Sequence, residues 1–146
     1  MKNPAEATAD LPAYALDDQI GYVLRRVTQR HLALFSEAIP EVTTTQFAVL
    51  ARLAEQGALS QNLLGRAVAM DAATIKGVVD RLARQGLVAT MPDADDRRRL
   101  NVALTEAGRA LFGARRDDAL AVSARTLEPL NARERRQIMA LLARLT

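Results

Sequence analysis

The chain has 146 residues, 49% hydrophobic and 25% charged, which fits one globular domain with its own core and excludes a low-hydropathy disordered tract. With no Cys and a single His, disulfides, thiolate metal sites, Cys nucleophiles and imidazole clusters are excluded. Net charge is +3, and only Lys2 and Lys76 among the 20 basic residues are lysine; the rest are arginine, whose planar five-donor fork suits phosphates and guanine edges.

Residues 1–12 carry Ala, Asn, Pro, Glu and Thr and read as a flexible arm. Lys2 has no apolar run behind it, so this stretch does not read as a signal peptide. No segment approaches ~18 uninterrupted apolar residues, so none spans a membrane. The expectation is a cytoplasmic protein.

From Leu16 to Ala38, Ile20, Leu24, Val27, Leu34 and Phe35 fall on one stripe at helical spacing, and Pro40 ends the helix. Thr43 can cap a second helix, Thr44 to Gln56, with Phe47, Val49, Leu50 and Leu53 apolar and Gly57 as its stop. Ser60 opens a short helix to about Val68, with Leu63, Leu64 and Ala67 expected inward. Asp71 caps a fourth, Ala72 to Gln85, stopped by Gly86, in which Ile75, Val78, Val79 and Leu82 share a face. The connection Ala69-Met70-Asp71 has the length of a helix-turn-helix turn.

Leu87–Met91 and Leu100–Leu104 read as two strands around the charged tip at 92–99, a β-hairpin wing. Thr105 caps a long helix to about Glu128, stopped by Pro129. Asn131 caps a last one with Ile138, Leu141, Leu142 and Leu145 apolar. The fold class is therefore mainly α with a small β-hairpin: a winged helix-turn-helix lobe at about 43–105 between long helices at 13–40 and 106–146. The first and last helices are too long for a small winged-helix core. Their apolar faces call for a partner, and a second copy of the chain, making a homodimer, is the economical one.

Recognition helices read base edges from their N-terminal turns. That assigns Ala72, Ala73, Thr74, Lys76 and Gly77 to the groove and Arg81 to phosphate, with Ser60 and Gln61 at the start of the preceding helix as further contacts. Small residues permit close approach, and an Ala or Thr methyl can meet a thymine methyl. In the wing, Asp93, Asp95 and Asp96 precede Arg97, Arg98 and Arg99. Extended arginines suit the negative potential of a narrow minor groove, and neighbouring carboxylates can orient guanidiniums by bidentate pairing. The competing readings are a solvated helix face and a self-neutralising charged loop.

The segment Ser60–Gly108 resembles the MarR family of transcription regulators. The resemblance rests on the helix from Asp71 to Leu82, on Gly86-Leu87-Val88, and on Asp96-Arg97-Arg98, which fits an Asp-x-Arg wing signature ahead of Leu104-Thr105-Glu106-Ala107-Gly108. Gly77 and Thr90 depart from the family, which often has Arg or a polar residue there. The resemblance implies a triangular dimer on a palindromic operator, built from the first helix and the two C-terminal helices. It also implies repression relieved by a small anionic aromatic compound. Within the family, Gly21–His31 and Thr43–Leu50 are similar to repressors of nicotinate catabolism, which respond to a hydroxylated pyridine carboxylate.

His31 falls on the apolar stripe of the first helix, flanked by Arg26 and Arg30. Imidazole beside guanidiniums suits an aromatic carboxylate, and Tyr14, Thr44 and Phe47 are further lining candidates. The alternative is a half-buried structural histidine bonded to a carbonyl or across the dimer. Catalysis has little to work with, since a nucleophile needs a positioned base. Asp93, Asp95 and Asp96 form the only acid cluster, beside three arginines that oppose a metal ion. No cofactor or metal is expected. A module serving only protein interaction or dimerisation, or a winged-helix regulator without a ligand, is the other reading, and Lys76, Arg81 and Arg84 argue against the first of these.

Overall fold

The computed structural model describes residues 12–146; most of the expected arm lies outside the described residues. The chain divides into two compact units at Arg30/His31. In the first, a 3-10 turn, Leu16–Asp18, precedes helix α1, Ile20–Ala38, which crosses the division. The helix begins later than Leu16 because Gln19 is extended (φ −89°, ψ 128°), its side chain donating to the Ala15 carbonyl at 3.1 Å.

The second unit contains α2 (Thr44–Gln56), β1 (Leu59–Ser60), α3 (Gln61–Ala67), α4 (Ala72–Arg84), β2 (Val88–Pro92), β3 (Leu100–Leu104), α5 (Glu106–Thr126) and α6 (Ala132–Ala143). Each expected N-cap accepts a backbone N–H two or three residues into its helix: Thr43 from Gln46, Ser60 from Leu63, Asp71 from Thr74, Thr105 from Gly108 and Asn131 from Glu134. These bonds satisfy donors that the first helical turn leaves orphaned. Gly57 (φ 76°) and Gly86 (φ 73°) end their segments in the left-handed region that favours glycine.

The hairpin pairs Val88 with Leu104 through Pro92 with Leu100, antiparallel. β1 adds a third strand on the other side of β3, Leu59 opposite Val102. Ile39, Val49, Leu50, Leu64, Ile75, Val79, Leu82, Val102 and Val122 are almost wholly buried in one core. All three phenylalanines of the chain stack in a row: Phe35 to Phe47 at 5.7 Å between ring centroids, Phe47 to Phe112 at 5.6 Å. Aromatic pairs at this spacing add about 0.5–1.5 kcal/mol beyond area burial. One inward assignment is corrected. Leu63 is 50% exposed, and Gly65 is buried in its place, where a Cβ would stand 3.1 Å from both Ile75 and the Met70 carbonyl.

Among the described residues, α6 has no buried residue and α1 has only Phe35. Ile20, Val23, Leu24 and Val27 on α1, and Ile138, Met139, Leu141 and Leu145 on α6 or just beyond it, are exposed apolar side chains.

Candidate nucleic-acid interface

The candidate recognition helix α4 is held by its buried stripe. Ile75, Val78, Val79 and Leu82 are each at most 3% exposed, and burial of such side chains contributes about 1.5–3 kcal/mol apiece. The connection from α3 turns at Ala69, whose φ of 56° is left-handed, and the Met70 N–H donates back to the Gly65 carbonyl at 2.8 Å. From α2, Arg52 Nε donates to the Ala67 carbonyl at 3.0 Å while its Nη1 meets Glu55 at 2.7 Å. It thereby satisfies a carbonyl orphaned at the end of α3. Sequence reasoning missed Arg52, and nothing local marks it: the carbonyl it serves is 15 residues away.

Asp71 fixes the other end of the turn. Its carboxylate accepts the Thr74 N–H at 2.7 Å, and the bonds it accepts from Thr74 hold its pKa below the usual carboxylate range. Ala72, Ala73, Thr74 and Lys76 are exposed and Gly77 is half-buried, with nothing within 4 Å of where a Gly77 Cβ would lie. The predicted groove residues therefore share one open face at the start of α4. Lys76 Nζ donates to Asp80 at 2.9 Å, one turn on. Arg81 and Arg84 are exposed further along.

In the wing, the acids do something other than the expected guanidinium pairing. Asp93 accepts the N–H of Asp95 (2.8 Å) and Asp96 (3.3 Å) and the side-chain amide of Asn101 (3.2 Å). Those bonds, led by the Asp95 N–H, lower its pKa. Asp96 accepts the Arg98 N–H at 3.0 Å, and the Asp93 N–H donates to the Arg99 carbonyl at 2.9 Å. Backbone amides at fixed short range outcompete flexible arginine side chains, whose ordering costs rotamer entropy. The result is a braced loop with Arg97, Arg98 and Arg99 exposed. Among the described residues, none of those three guanidiniums forms an ion pair within 4.0 Å, although the Arg99 charge adds to the lowering of the Asp93 pKa. Asp96 thus braces the loop rather than orienting an arginine head.

Ser60 and Gln61 come together with Arg98 and Arg99 around a polar cleft of about 90 Å³ that Asn62 and Leu100 complete. The pairing of β1 with β3, Ser60 opposite Asn101, brings them there. Two residues of strand have no periodicity for a sequence to display.

The effector candidates distribute differently. Tyr14 is exposed. In the first unit, Arg26 lies 5.9 Å over the Tyr22 ring and lines a cavity of about 350 Å³ with Val23, Val27 and Arg30. In the second, Thr44 lines a separate cavity of about 560 Å³ bounded by Phe35, Ile39, Glu41 and Gln85. Phe47 is held in the phenylalanine row. His31 is half-buried with its Nδ1 2.8 Å from the Thr126 hydroxyl.

Comparison with known proteins agrees with this architecture. Residues 42–100 match the family model described as "MarR family". The chain is 40% identical, over 97% of its length and 91% of the relative's, to the HTH-type transcriptional repressor NicR of Pseudomonas putida. A probable transcriptional regulator from Pseudomonas aeruginosa superposes with a TM-score of 0.88 at 50% identity, covering 90% of this chain and 100% of that one. BpsR of Bordetella bronchiseptica, whose structure concerns regulation of its DNA binding by 6-hydroxynicotinic acid, superposes with a TM-score of 0.86 at 40% identity, over 92% and 97% of the two chains. The chain belongs to the MarR family.

Proposed function

We propose that this chain is a transcriptional repressor that binds a palindromic operator as a homodimer and is released by a small aromatic acid of the hydroxylated nicotinate class. The observation that carries the reading is the open N-terminal face of α4 on the same compact unit as three exposed wing arginines that form no ion pair among the described residues. Ala72, Ala73, Thr74, Lys76 and Gly77 meet base edges, while Arg81, Ser60 and Gln61 meet the backbone. Arg97–Arg99 follow the minor groove on a loop that Asp96 braces. Similarity to a named repressor and to a regulator whose DNA binding answers to 6-hydroxynicotinic acid supports both halves of the proposal.

The exposed apolar side chains of α1 and α6 supply the dimer surface, so residues 13–40 and 106–146 join two copies while about 43–105 reads DNA. Two recognition helices must stand about 34 Å apart to enter successive major grooves on one side of the duplex. An acid bound on one of the units, with Tyr14, Arg26 and Arg30 as the candidates on the first and His31, Thr44 and Phe47 as the candidates on the second, shifts the population toward another spacing, and a coupling of about 1–3 kcal/mol suffices for induction. The protein acts in the cytoplasm as a regulator without catalysis; no helix among the described residues is long and apolar enough to cross a membrane. Selection from a random duplex pool tests the proposal. The expected product is a palindrome with half-sites one turn apart, whose affinity falls about 5- to 150-fold with 6-hydroxynicotinate. No enrichment of any duplex in dilute buffer would refute it.

A further inference from the structure

His31 is the chain's single histidine, and its ring takes part in a two-step relay onto α5. Nδ1 lies 2.8 Å from Thr126 Oγ1, and that hydroxyl lies 2.9 Å from the carbonyl oxygen of Val122, one turn earlier. A hydroxyl has one proton and a carbonyl oxygen only accepts. The Thr126 proton is therefore committed to Val122, and Oγ1 turns lone pairs toward the imidazole. Nδ1 must then donate. The opposite assignment, with Thr126 donating to the ring, would leave two acceptor oxygens 2.9 Å apart with no proton between them.

In the neutral ring one nitrogen donates and the other accepts. With the proton held on Nδ1, Nε2 carries a lone pair, and among the described residues no group bonds to it. We infer that Thr126 is a positioning residue that fixes His31 in the Nδ1–H tautomer and makes its Nε2 a hydrogen-bond acceptor of the effector site. The tautomer stands on this geometry alone; its use in recognition rests on the aromatic-acid effector proposed above. An acceptor nitrogen is repelled by a carboxylate oxygen and pairs with an O–H or N–H of a ring. The acid end of the ligand is thus left to another group, and His31 selects for a donor substituent on the ring. A protein hydrogen bond of ordinary strength makes that selection about tenfold.

One histidine gives one imidazole signal set, so the full-length protein labelled with ¹⁵N-histidine answers the question by two-bond ¹H–¹⁵N correlation at a pH where the ring is neutral. The expected spectrum has the proton on Nδ1. Thr126→Ser keeps it there, and Thr126→Val returns the ring to the Nε2–H form that free imidazole side chains prefer in water. A wild-type ring protonated on Nε2 overturns the inference, as does a Thr126→Val ring unchanged from wild type. Should Thr126→Val fail to fold, the wild-type and Thr126→Ser spectra still decide. Calorimetry with 6-hydroxynicotinate and nicotinate reads the consequence: wild type and Thr126→Ser favour the hydroxylated acid about tenfold, and Thr126→Val loses the preference. Equal binding of both acids to wild type overturns the selection. Failure of both to bind overturns the effector reading, while the spectrum still decides the role of Thr126.

Discussion

Gly77 separates what the fold wants from what DNA wants. It lies inside α4, where glycine costs about 0.5–1 kcal/mol relative to alanine because it surrenders more backbone freedom on folding. Beyond the helix's own backbone and the two chain neighbours, no atom lies within 4 Å of a Cβ at this position, so Gly77→Ala brings no clash to offset the gain. The free protein should therefore be stabilised by about 0.5–1 kcal/mol, or roughly 1–4 °C in Tm for a chain of this size. The same methyl projects from the face assigned to the groove floor, where it pushes the helix axis away from base edges. Affinity for the selected operator should fall about tenfold, equivalent to about 1.4 kcal/mol. Denaturant unfolding of the free protein and fluorescence anisotropy with labelled duplex measure the two effects. Opposite signs are the signature. A Gly77→Ala protein that binds operator as tightly as the parent would remove Gly77 from the interface, and one that is less stable would contradict the open space beside it.

Arg98→Ala should weaken cognate and scrambled duplexes alike and reduce the salt dependence of log K by about one phosphate's worth; gel shifts at several salt concentrations check this, and selective loss of the cognate site would contradict a backbone role. Gly108→Ala should destabilise by about 1–3 kcal/mol or more, since a Cβ there overlaps the Leu87 carbonyl oxygen, which belongs to backbone and cannot swing aside. Denaturant midpoints measure it. Asp71 and Asp93 have pKa values lowered in the folded protein by the backbone N–H groups of Thr74 and Asp95. The folded state therefore binds protons less readily than the unfolded chain at these sites. Their contribution is complete at neutral pH and drains away as pH falls through about 4 and below. Stability followed from pH 7 to pH 3 should be flat and then decline, and Asp71→Asn should flatten the decline.

Most of the fold was legible because the helix signals here are local. A capping oxygen, an apolar stripe and a left-handed glycine all sit within a few residues of one another, as at Thr43 and Gly57 or Asp71 and Gly86. The failures are non-local or too short to carry a period. β1 is two residues long and exists because Leu59 finds Val102 across the sheet. α3 has only seven residues, so two turns of pattern could not tell that Gly65, not Leu63, faces the core. The wing acids read as ion-pair partners because a block of acids adjoins a block of arginines in the sequence, yet the nearest donors in space are amides of the same loop. The α4 candidates come together because one helix face carries them. The effector candidates are scattered over several elements and two cavities, and no single period could collect them.

The C-terminal end of the recognition helix is tied down from two directions, and this bears on how a ligand could move it. On one side the Thr105 hydroxyl donates to the Gly86 carbonyl at 2.6 Å and its N–H to the Leu87 carbonyl at 3.1 Å, while Gly108 allows α5 to lie directly on that turn. On the other, Gln85 Nε2 reaches the Glu41 carbonyl at 3.5 Å, and the Glu41 carboxylate is gripped by Arg115 of α5, which also holds Asp118 at 3.0 Å. The bonds that Glu41 accepts from Arg115 lower its pKa and raise that of the guanidinium. Both attachments lead to α5. A displacement of α5 therefore carries α4 and the wing with it instead of being absorbed at a hinge between them. Because packed elements of this kind shift as bodies, an effector need not touch the DNA-reading face. In the proposed dimer it would have only to favour one position of α5 for the spacing of the two α4 helices to change.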